Sequence, residues 1–373
     1  MNEADKHIPL PPPQKGQRGL HSQSLDLMRF PLAVVVLTVH VSLTEHVSSH
    51  SLNLQTNFFK DICEVFLHNQ SVPIYYFIAG YVFFFGMEMK PAQYARKLRN
   101  RVKSLLIPYL IWNLIAILIV AGKSLVRGGE GFYPTAANLL SCFWMYDGQL
   151  EGRPVTAPVY PIDLPLWFVR DLMIVVVLTP LLYWAMRHLR HFWVWMLGIV
   201  WLLRWQAADP HAPQLITAFF FFSWGGYMSI YKKDMIKEFG RMRTASFIVY
   251  PLLGVFCWIC ASWQPEWFNH LKDLYVLTGL CAAYNFSALL LTHKVLKVST
   301  FLSSASFFIY VSHFLIVAPC MKIVFGLMQP QNVFTITVSY LLSIAFITGL
   351  LLAAFWLMQR YTPSVLRVAA GRR

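Results

Sequence analysis

Charge is scarce in this chain: of 373 residues only 13% are Asp, Glu, Lys or Arg, about half the share of a water-soluble domain. Acidic residues are the scarcest, 17 Asp and Glu against 31 Lys and Arg, which leaves a formal net charge of +14. The missing charge is replaced by apolar side chains, 57% of the chain, and the mean hydropathy is +0.51. A single water-soluble core could not hide that much apolar surface, so an ordinary soluble protein is excluded. No long polar stretch separates the apolar segments between about residues 26 and 358, so one polytopic membrane domain is expected. Internal repeats are also absent, which speaks against a transporter built from repeated halves. The six cysteines (63, 142, 257, 260, 281 and 320) fall mostly within apolar segments. Cys257 and Cys260 have C-x-x-C spacing but sit in the run Phe256-Cys-Trp-Ile-Cys-Ala261, which reads as membrane-buried thiols rather than metal ligands. No metal is predicted. The first apolar segment lacks a small-residue cleavage site, so it is expected to stay in place as a helix.

A helix needs about 20 apolar residues to cross the ~30 Å hydrocarbon core. Ten segments qualify, at approximately 26–44, 68–87, 104–123, 166–186, 192–206, 214–231, 245–263, 271–292, 301–326 and 333–358. The excess positive charge tests this count, because cytoplasmic loops collect Lys and Arg. With the N-terminus inside, alternate connections carry Lys90, Arg96, Lys97, Arg99, Arg101 and Lys103, then Arg187 and Arg190, then Lys232, Lys233, Lys237, Arg241 and Arg243, then Lys294 and Lys297. Arg367, Arg372 and Arg373 close the chain on the same side, while Lys60, Lys123, Arg127 and Arg153 are the few on the other. The predicted fold is therefore all-α, an integral membrane protein of about ten transmembrane helices with both termini cytoplasmic. The charge orients the protein in a membrane, and no nucleic-acid partner is implied. Residues 1–24, with three consecutive prolines, are expected to form a disordered tail; 25–360 form the membrane domain and 361–373 a short cytoplasmic tail, with no soluble domain after the last span. The longest connection, about 124–165 on the outer side, is rich in Gly, Pro and aromatic residues. A connection of that length is usually functional or disordered, and a lid facing the acceptor is one reading of it.

Ionisable side chains within a span are costly and mark pathways or active sites. Arg29 and His40 lie eleven residues apart, which in a helix puts them on one face about 16 Å apart along the axis. Taken singly, Arg29 also reads as a snorkelling interface anchor, and His40 as a histidine satisfied by a neighbouring helix. Ser306, Tyr310 and His313 fall at i, i+4 and i+7 on one face of the ninth span, an arrangement that suits either interhelical hydrogen bonds or orientation of a bound group. Asp163, Trp167, Arg170 and Asp171 cluster by similar spacing near the outer end of the fourth span. Trp167 with Asp163 could form a carbohydrate platform, and Arg170 could simply pair with Asp171. Glu45 and His46 lie beyond His40, with Glu45 off its face, and read as interface residues.

Five segments, taken together and in order, resemble the membrane acyltransferase-3 family, which includes O-acetyltransferases of bacterial surface polysaccharides. They are Arg29-x10-His40 in the first span, Val72-Pro-Ile-Tyr-Tyr-Phe-Ile-Ala-Gly-Tyr81 in the second, and Arg99-Asn-Arg-Val-Lys-Ser-Leu-Leu-Ile-Pro-Tyr109 opening the third. Leu166-Trp-Phe-Val-Arg-Asp-Leu172 follows in the fourth and Ser306-Phe-Phe-Ile-Tyr-Val-Ser-His313 in the ninth. Ala79 departs from the pattern, standing where a serine is common.

The resemblance implies a multi-pass enzyme of the bacterial inner membrane that moves an acyl group, acetyl in the first instance, from cytoplasmic acyl-CoA to a hydroxyl of a surface polysaccharide or lipid-linked saccharide. It implies His40 as the base, since acyl transfer needs a group that removes the hydroxyl proton and histidine works near neutral pH. Arg29, expected to contribute to catalysis as well, would join Arg99, Arg101 and Lys103 in holding the donor phosphates at the inner face. Trp167, Asp163, Ser306, Tyr310 and His313 would serve the acceptor or the thioester carbonyl. The rival reading is a transporter or flippase of a saccharide or anionic lipid, in which the basic inner group binds a substrate that is not transformed. A membrane sensor without catalysis is a third.

Overall fold

The computed structural model describes residues 15–41, 69–156 and 158–371, and every regular element among them is helical. Glu45, His46, Lys60, Cys63 and the first residue of the second predicted span lie outside the described residues. In chain order the helices are α1 (Lys15–His40), α2 (Asn69–Phe84), α3 (Pro91–Arg101), α4 (Ile107–Val126), α5 (Ala136–Ser141), α6 (Trp167–Val177), α7 (Thr179–Leu189) and α8 (His191–Leu203). They continue as α9 (Ala212–Ile230), α10 (Met235–Gly240), α11 (Arg243–Cys260), α12 (Phe268–Thr292), α13 (Thr300–Met328), α14 (Val333–Tyr361) and α15 (Pro363–Ala369). A π-helical turn over Val102–Leu106 joins α3 to α4.

Each of the ten predicted spans falls on helix, but they are not alike. Six helices are long and apolar enough to cross a bilayer: α1 from Gly19, the run Pro91–Val126, α11, α12, α13 and α14. The fourth predicted span is broken at Leu178, where Leu164–Val177 and Thr179–Leu189 meet at 62°. Pro180 causes the break, because it has no N–H to continue the ladder and its ring clashes with the carbonyl one turn back. The Thr179 hydroxyl takes the carbonyl of Val176 at 2.7 Å instead. Three further helices, α2, α8 and α9, have 16, 13 and 19 residues. At 1.5 Å per residue α8 reaches only about 20 Å, well short of the hydrocarbon thickness. The outer surface of the bundle nonetheless leaves Leu118, Trp195 and Phe334 more than half exposed. Side chains of that size on an outward face suit lipid rather than water.

The bundle has two packing groups with α1 between them. Leu25, Met28, Leu32 and Val36 of α1 join a core made with α2, α6, α9 and α12. Ala33, Leu37 and Val41 join a second core with α13, α14 and α15. Arg29 and His40 stand one turn before Ala33 and just after Leu37, so the face that carries them turns toward the second group.

The closest helix contact is between α2 and α9, and glycine permits it. A Cβ on Gly80 would overlap the carbonyl oxygen of Phe222, and one on Gly225 the carbonyl oxygen of Phe77. Small residues at such crossings let backbones meet inside a membrane, where close packing is what draws helices together.

Helix α1 begins at Lys15, inside the segment expected to be disordered, and α15 occupies the expected C-terminal tail. Leu366, Ala369 and Ala370 are buried, and the Trp112 indole donates to the carbonyl of Ala369 at 2.9 Å. A Pro at the first helical position and three apolar residues on one face are sufficient cause.

Candidate active site

The ring of His40 lies against that of His313, centroids 5.2 Å apart with planes at 43°, and Phe314 meets His40 edge-on at 5.2 Å. Two residues chosen from separate spans for separate roles thus meet at one point between α1 and α13. His313 is fully buried, and its Nδ1 lies 2.8 Å from the carbonyl of Tyr310 and 3.1 Å from that of Ile309. A carbonyl oxygen only accepts, so Nδ1 carries the hydrogen and Nε2 holds a lone pair. That Nε2 is buried without a hydrogen-bond partner among the described residues.

Around the pair stand the aromatic residues of the other spans. The Tyr310 hydroxyl donates to the carbonyl of Pro165, and the Tyr310 ring meets Phe168 edge-on at 5.7 Å. Phe168 in turn packs on Tyr76 at 4.6 Å and Tyr75 at 5.8 Å. The Tyr75 hydroxyl donates to the carbonyl of Arg29 at 2.6 Å, joining the second span to the first. Tyr340 of α14 donates to the Thr38 carbonyl in the last turn of α1 at 3.1 Å, a carbonyl that also accepts from the Val41 N–H at 3.3 Å. Segments far apart in the chain therefore fix α1 at both Arg29 and His40.

Arg29 forms an ion pair with Asp26 at 2.9 Å, both side chains about one-third exposed at 35%. The sequence analysis did not use Asp26, although spacing of three on a helix announces such a pair. Arg99 and Lys103 are exposed, while Arg101 is half-buried with its guanidinium 5.9 Å from the centre of the Phe83 ring. Lys97 donates to the carbonyls of Phe83 and Phe85, so this lysine closes the end of α2. The π-turn that holds Lys103 and Ser104 presses against the chain end, where a Cβ on Gly371 would overlap the backbone of Ser104. Ser306 donates to Leu302 of its own helix at 3.0 Å, so its hydroxyl is already engaged.

The outer loop is folded rather than loose. Its backbone is pinned by Arg170, which is 1% exposed and donates through Nη1 to the carbonyls of Trp144 (2.5 Å) and Val159 (2.8 Å). Arg170 also pairs through Nε with Asp171 at 2.9 Å. His211, ahead of α9, places its Nε2 between Arg170 Nη2 and the same Asp171 oxygen. Sequence reasoning anticipated the Arg170–Asp171 pair but missed His211, for which the only signal is the turn Asp209-Pro-His211 between two apolar segments.

Asp163 ends this loop at 1% exposure, with neither carboxylate oxygen hydrogen-bonded among the described residues. Burial pushes its carboxyl up to about 8, since low dielectric disfavours the charged form. Its backbone N–H donates to Asn113, which itself donates to the Tyr109 carbonyl at 2.8 Å. Trp167 is half-buried with its ring 6.2 Å from that of Tyr160. Asp163 and Trp167 are therefore both at the base of the loop, but the acid is sealed beneath it and does not form an open platform.

A cavity of about 110 Å³ lies elsewhere, lined by Leu20, Arg243, Tyr284, Asn285 and His293 among others. Leu20 is twenty residues from His40, about 30 Å along α1, so this cavity and the histidine pair are separate places. Cys257 and Cys260 are free thiols buried against Phe268, Leu271 and Tyr275.

The family described as an acyltransferase domain matches residues 22–359. The succinoglycan biosynthesis protein ExoH of Rhizobium meliloti (strain 1021) is 25% identical over 361 residues, which cover 94% of this chain and 92% of that protein. No solved structure matches the chain.

Proposed function

The chain belongs to this acyltransferase family, and from that premise we propose that it carries an acyl group, acetyl in the first instance, from cytoplasmic acyl-CoA to a hydroxyl of a surface polysaccharide or lipid-linked saccharide. The observation that carries this reading is the meeting of His40 with His313, three helical turns from Arg29 on the same face of α1 and within the aromatic group formed by Tyr75, Tyr76, Phe168 and Tyr310. The relative's part in making succinoglycan supports a glycan acceptor. The protein then resides in the bacterial inner membrane with both termini inside.

His40 acts as the base. As the acceptor oxygen attacks the thioester carbon, its proton passes to His40; the carbon–sulfur bond breaks with its electron pair on sulfur, and the proton returns to the thiolate. Arg29 exchanges Asp26 for a donor phosphate, an exchange that its one-third exposure permits. Arg99, Arg101 and Lys103 add positive charge where the donor enters, with guanidinium groups suited to gripping phosphate in a fork and lysine acting as a point charge. Tyr310 and His313 line the acceptor's approach with Trp167. Asp163 supports that approach from beneath the loop, and Ser306 keeps the ninth-span face in register.

Purified protein in detergent tests the reading. Acetyl-CoA should raise its unfolding temperature, and adding saccharides from the native envelope should release free thiol in proportion to ester formed. Stabilisation with no thiol release from any envelope saccharide would favour a carrier over an enzyme.

A further inference from the structure

The cavity among α1, α10, α11 and α12 takes no part in the acyl-transfer site, and its lining is of two kinds. Leu20, Ile236 and Leu289 make an apolar interior, while Arg243 and His293, both exposed, stand at its mouth where α11 begins and α12 has just ended. Hydrogen bonds between the helices hold the walls in place. Tyr284 is buried on the cavity, and its hydroxyl lies 2.8 Å from Nδ1 of His21, which ties α12 to α1. The buried Asn285 amide donates to the Phe239 carbonyl at 2.9 Å and to the Ser246 hydroxyl at 3.4 Å, which ties α12 to α10 and α11. Gly240 borders the mouth, where a Cβ would meet nothing within 4 Å.

The connections at this end of the bundle are basic. Residues 231–243 carry Lys232, Lys233, Lys237, Arg241 and Arg243 against Asp234 and Glu238, and Lys294 and Lys297 follow α12. Both acids are occupied: Asp234 accepts from the N–H groups of Ile236 and Lys237 at the start of α10, and Glu238 pairs with Arg241 at 3.1 Å. Neither Arg243 nor His293 has an acidic partner among the described residues. Apolar side chains lie open beside the same two cations, Met242 at 52% exposure, Val295 at 64% and Leu296 at 47%. A soluble anion gains nothing from that apolar rim, whereas a lipid covers it. Basic pockets between helices at a membrane face are suited to anionic lipid head groups.

We propose that this cavity binds an anionic phospholipid of the leaflet at that end of the bundle, with its phosphate at Arg243 and His293 and the start of one acyl chain between Leu20, Ile236 and Leu289. Arg243 grips the phosphate oxygens in a fork, and His293 adds an N–H. The chain enters the apolar interior, and the rest of the lipid covers Met242, Val295 and Leu296. Bound there, the lipid joins the start of α1 to α10, α11 and α12, at the end of α1 opposite His40. The site goes beyond the acyltransferase reading and does not depend on it.

Native mass spectrometry of the full chain, stripped of lipid in detergent and titrated with phosphatidylglycerol or phosphatidylcholine, tests the site. The wild type is expected to bind its first phosphatidylglycerol about tenfold more tightly than phosphatidylcholine, the worth of a hydrogen bond to a charged group. Arg243→Ala is expected to remove most of that preference and His293→Gln a smaller part of it. Gly240→Leu, which fills the mouth, is expected to weaken binding of both lipids. Arg187→Ala, which removes an exposed cation at the end of α7, is expected to keep the wild-type preference. Unfolding temperatures in detergent alone, equal for wild type and variants, show that the proteins compared are folded. A first lipid bound with no preference for the anionic head, a preference that survives both Arg243→Ala and His293→Gln, or one that Arg187→Ala lowers equally overturns the proposal. Displacement of the lipid from the wild type by excess acetyl-CoA or inorganic phosphate also overturns it, since the cavity would then serve a soluble phosphate. Thiol release tests the acyltransferase reading separately, and none of these outcomes bears on it.

Discussion

Asp163 is a side chain whose type the sequence shows but whose state only the fold reveals. Spacing predicts that it stands near Trp167, and it does; nothing in the spacing says that neither oxygen finds a partner among the described residues beneath the loop. Its carboxyl, pushed up to about 8, remains protonated in the folded protein at pH 7. In the unfolded chain the same group ionises near pH 4. Between these two values unfolding releases a proton, so the stability this group permits is complete below about pH 4 and is lost as pH rises toward 8. Asp163→Asn stays neutral throughout and is expected to flatten the fall in unfolding temperature between pH 5 and 8. An unchanged slope would mean that Asp163 is ionised or solvated in the folded state. Arg29 and His40 illustrate the complementary case, in which the sequence predicts that two residues share a face but not what each one meets. Asp26 could have been found three residues before Arg29, whereas the contact of His40 with His313 joins residues 273 positions apart and has no local signature.

Elements were legible in place and less so in length. Helix stands at all ten predicted segments because each is apolar over several turns, and hydropathy measures that directly. Among the described residues six are long and apolar enough to cross a bilayer, or seven if the bent pair in the fourth is one span. Thr179-Pro180 breaks the fourth, and α8 ends at Arg204, whose guanidinium pairs with Asp273 at 2.6 Å and lies 4.3 Å from the ring centres of both Trp201 and Trp205. The α2–α9 contact was not legible, because a glycine in an apolar run shows nothing about which helix it will face. Gly80→Ala and Gly225→Ala each press a methyl group into a carbonyl of the facing helix. Overpacking of this kind costs about 1–3 kcal/mol, so both variants should unfold at visibly lower temperature. Gly122→Ala, with nothing within 4 Å of the added carbon, should not. Equal behaviour of all three would show that α2 and α9 are not in backbone contact.

Across the whole molecule the small stock of charge divides by purpose. Most of the +14 falls in alternate predicted connections, the distribution that would set orientation in a membrane. A second part is buried and holds the fold together, with Arg170 fastening the outer loop and Arg204 fastening α8 to α12. What remains, Arg29 and the cluster at 99–103, is the part that the proposed function assigns to an anionic donor, as it assigns His40 to the proton. The first part is read from the sequence alone. The second was legible only in part: adjacency announces Arg170 with Asp171, whereas the Arg204–Asp273 pair between distant helices leaves no mark on either helix alone.

The central claim is that the protein transfers an acyl group to a hydroxyl of a surface glycan with His40 as the base. It is tested most directly by replacing the native gene with one encoding His40→Ala and measuring base-labile O-acyl groups on the surface glycan by mass spectrometry, with membrane content of the protein matched by immunoblot. The account predicts loss of at least nine-tenths of those groups, since a general base contributes about 10²–10⁴-fold in rate. Undiminished acylation in cells that hold the variant at wild-type levels would contradict it.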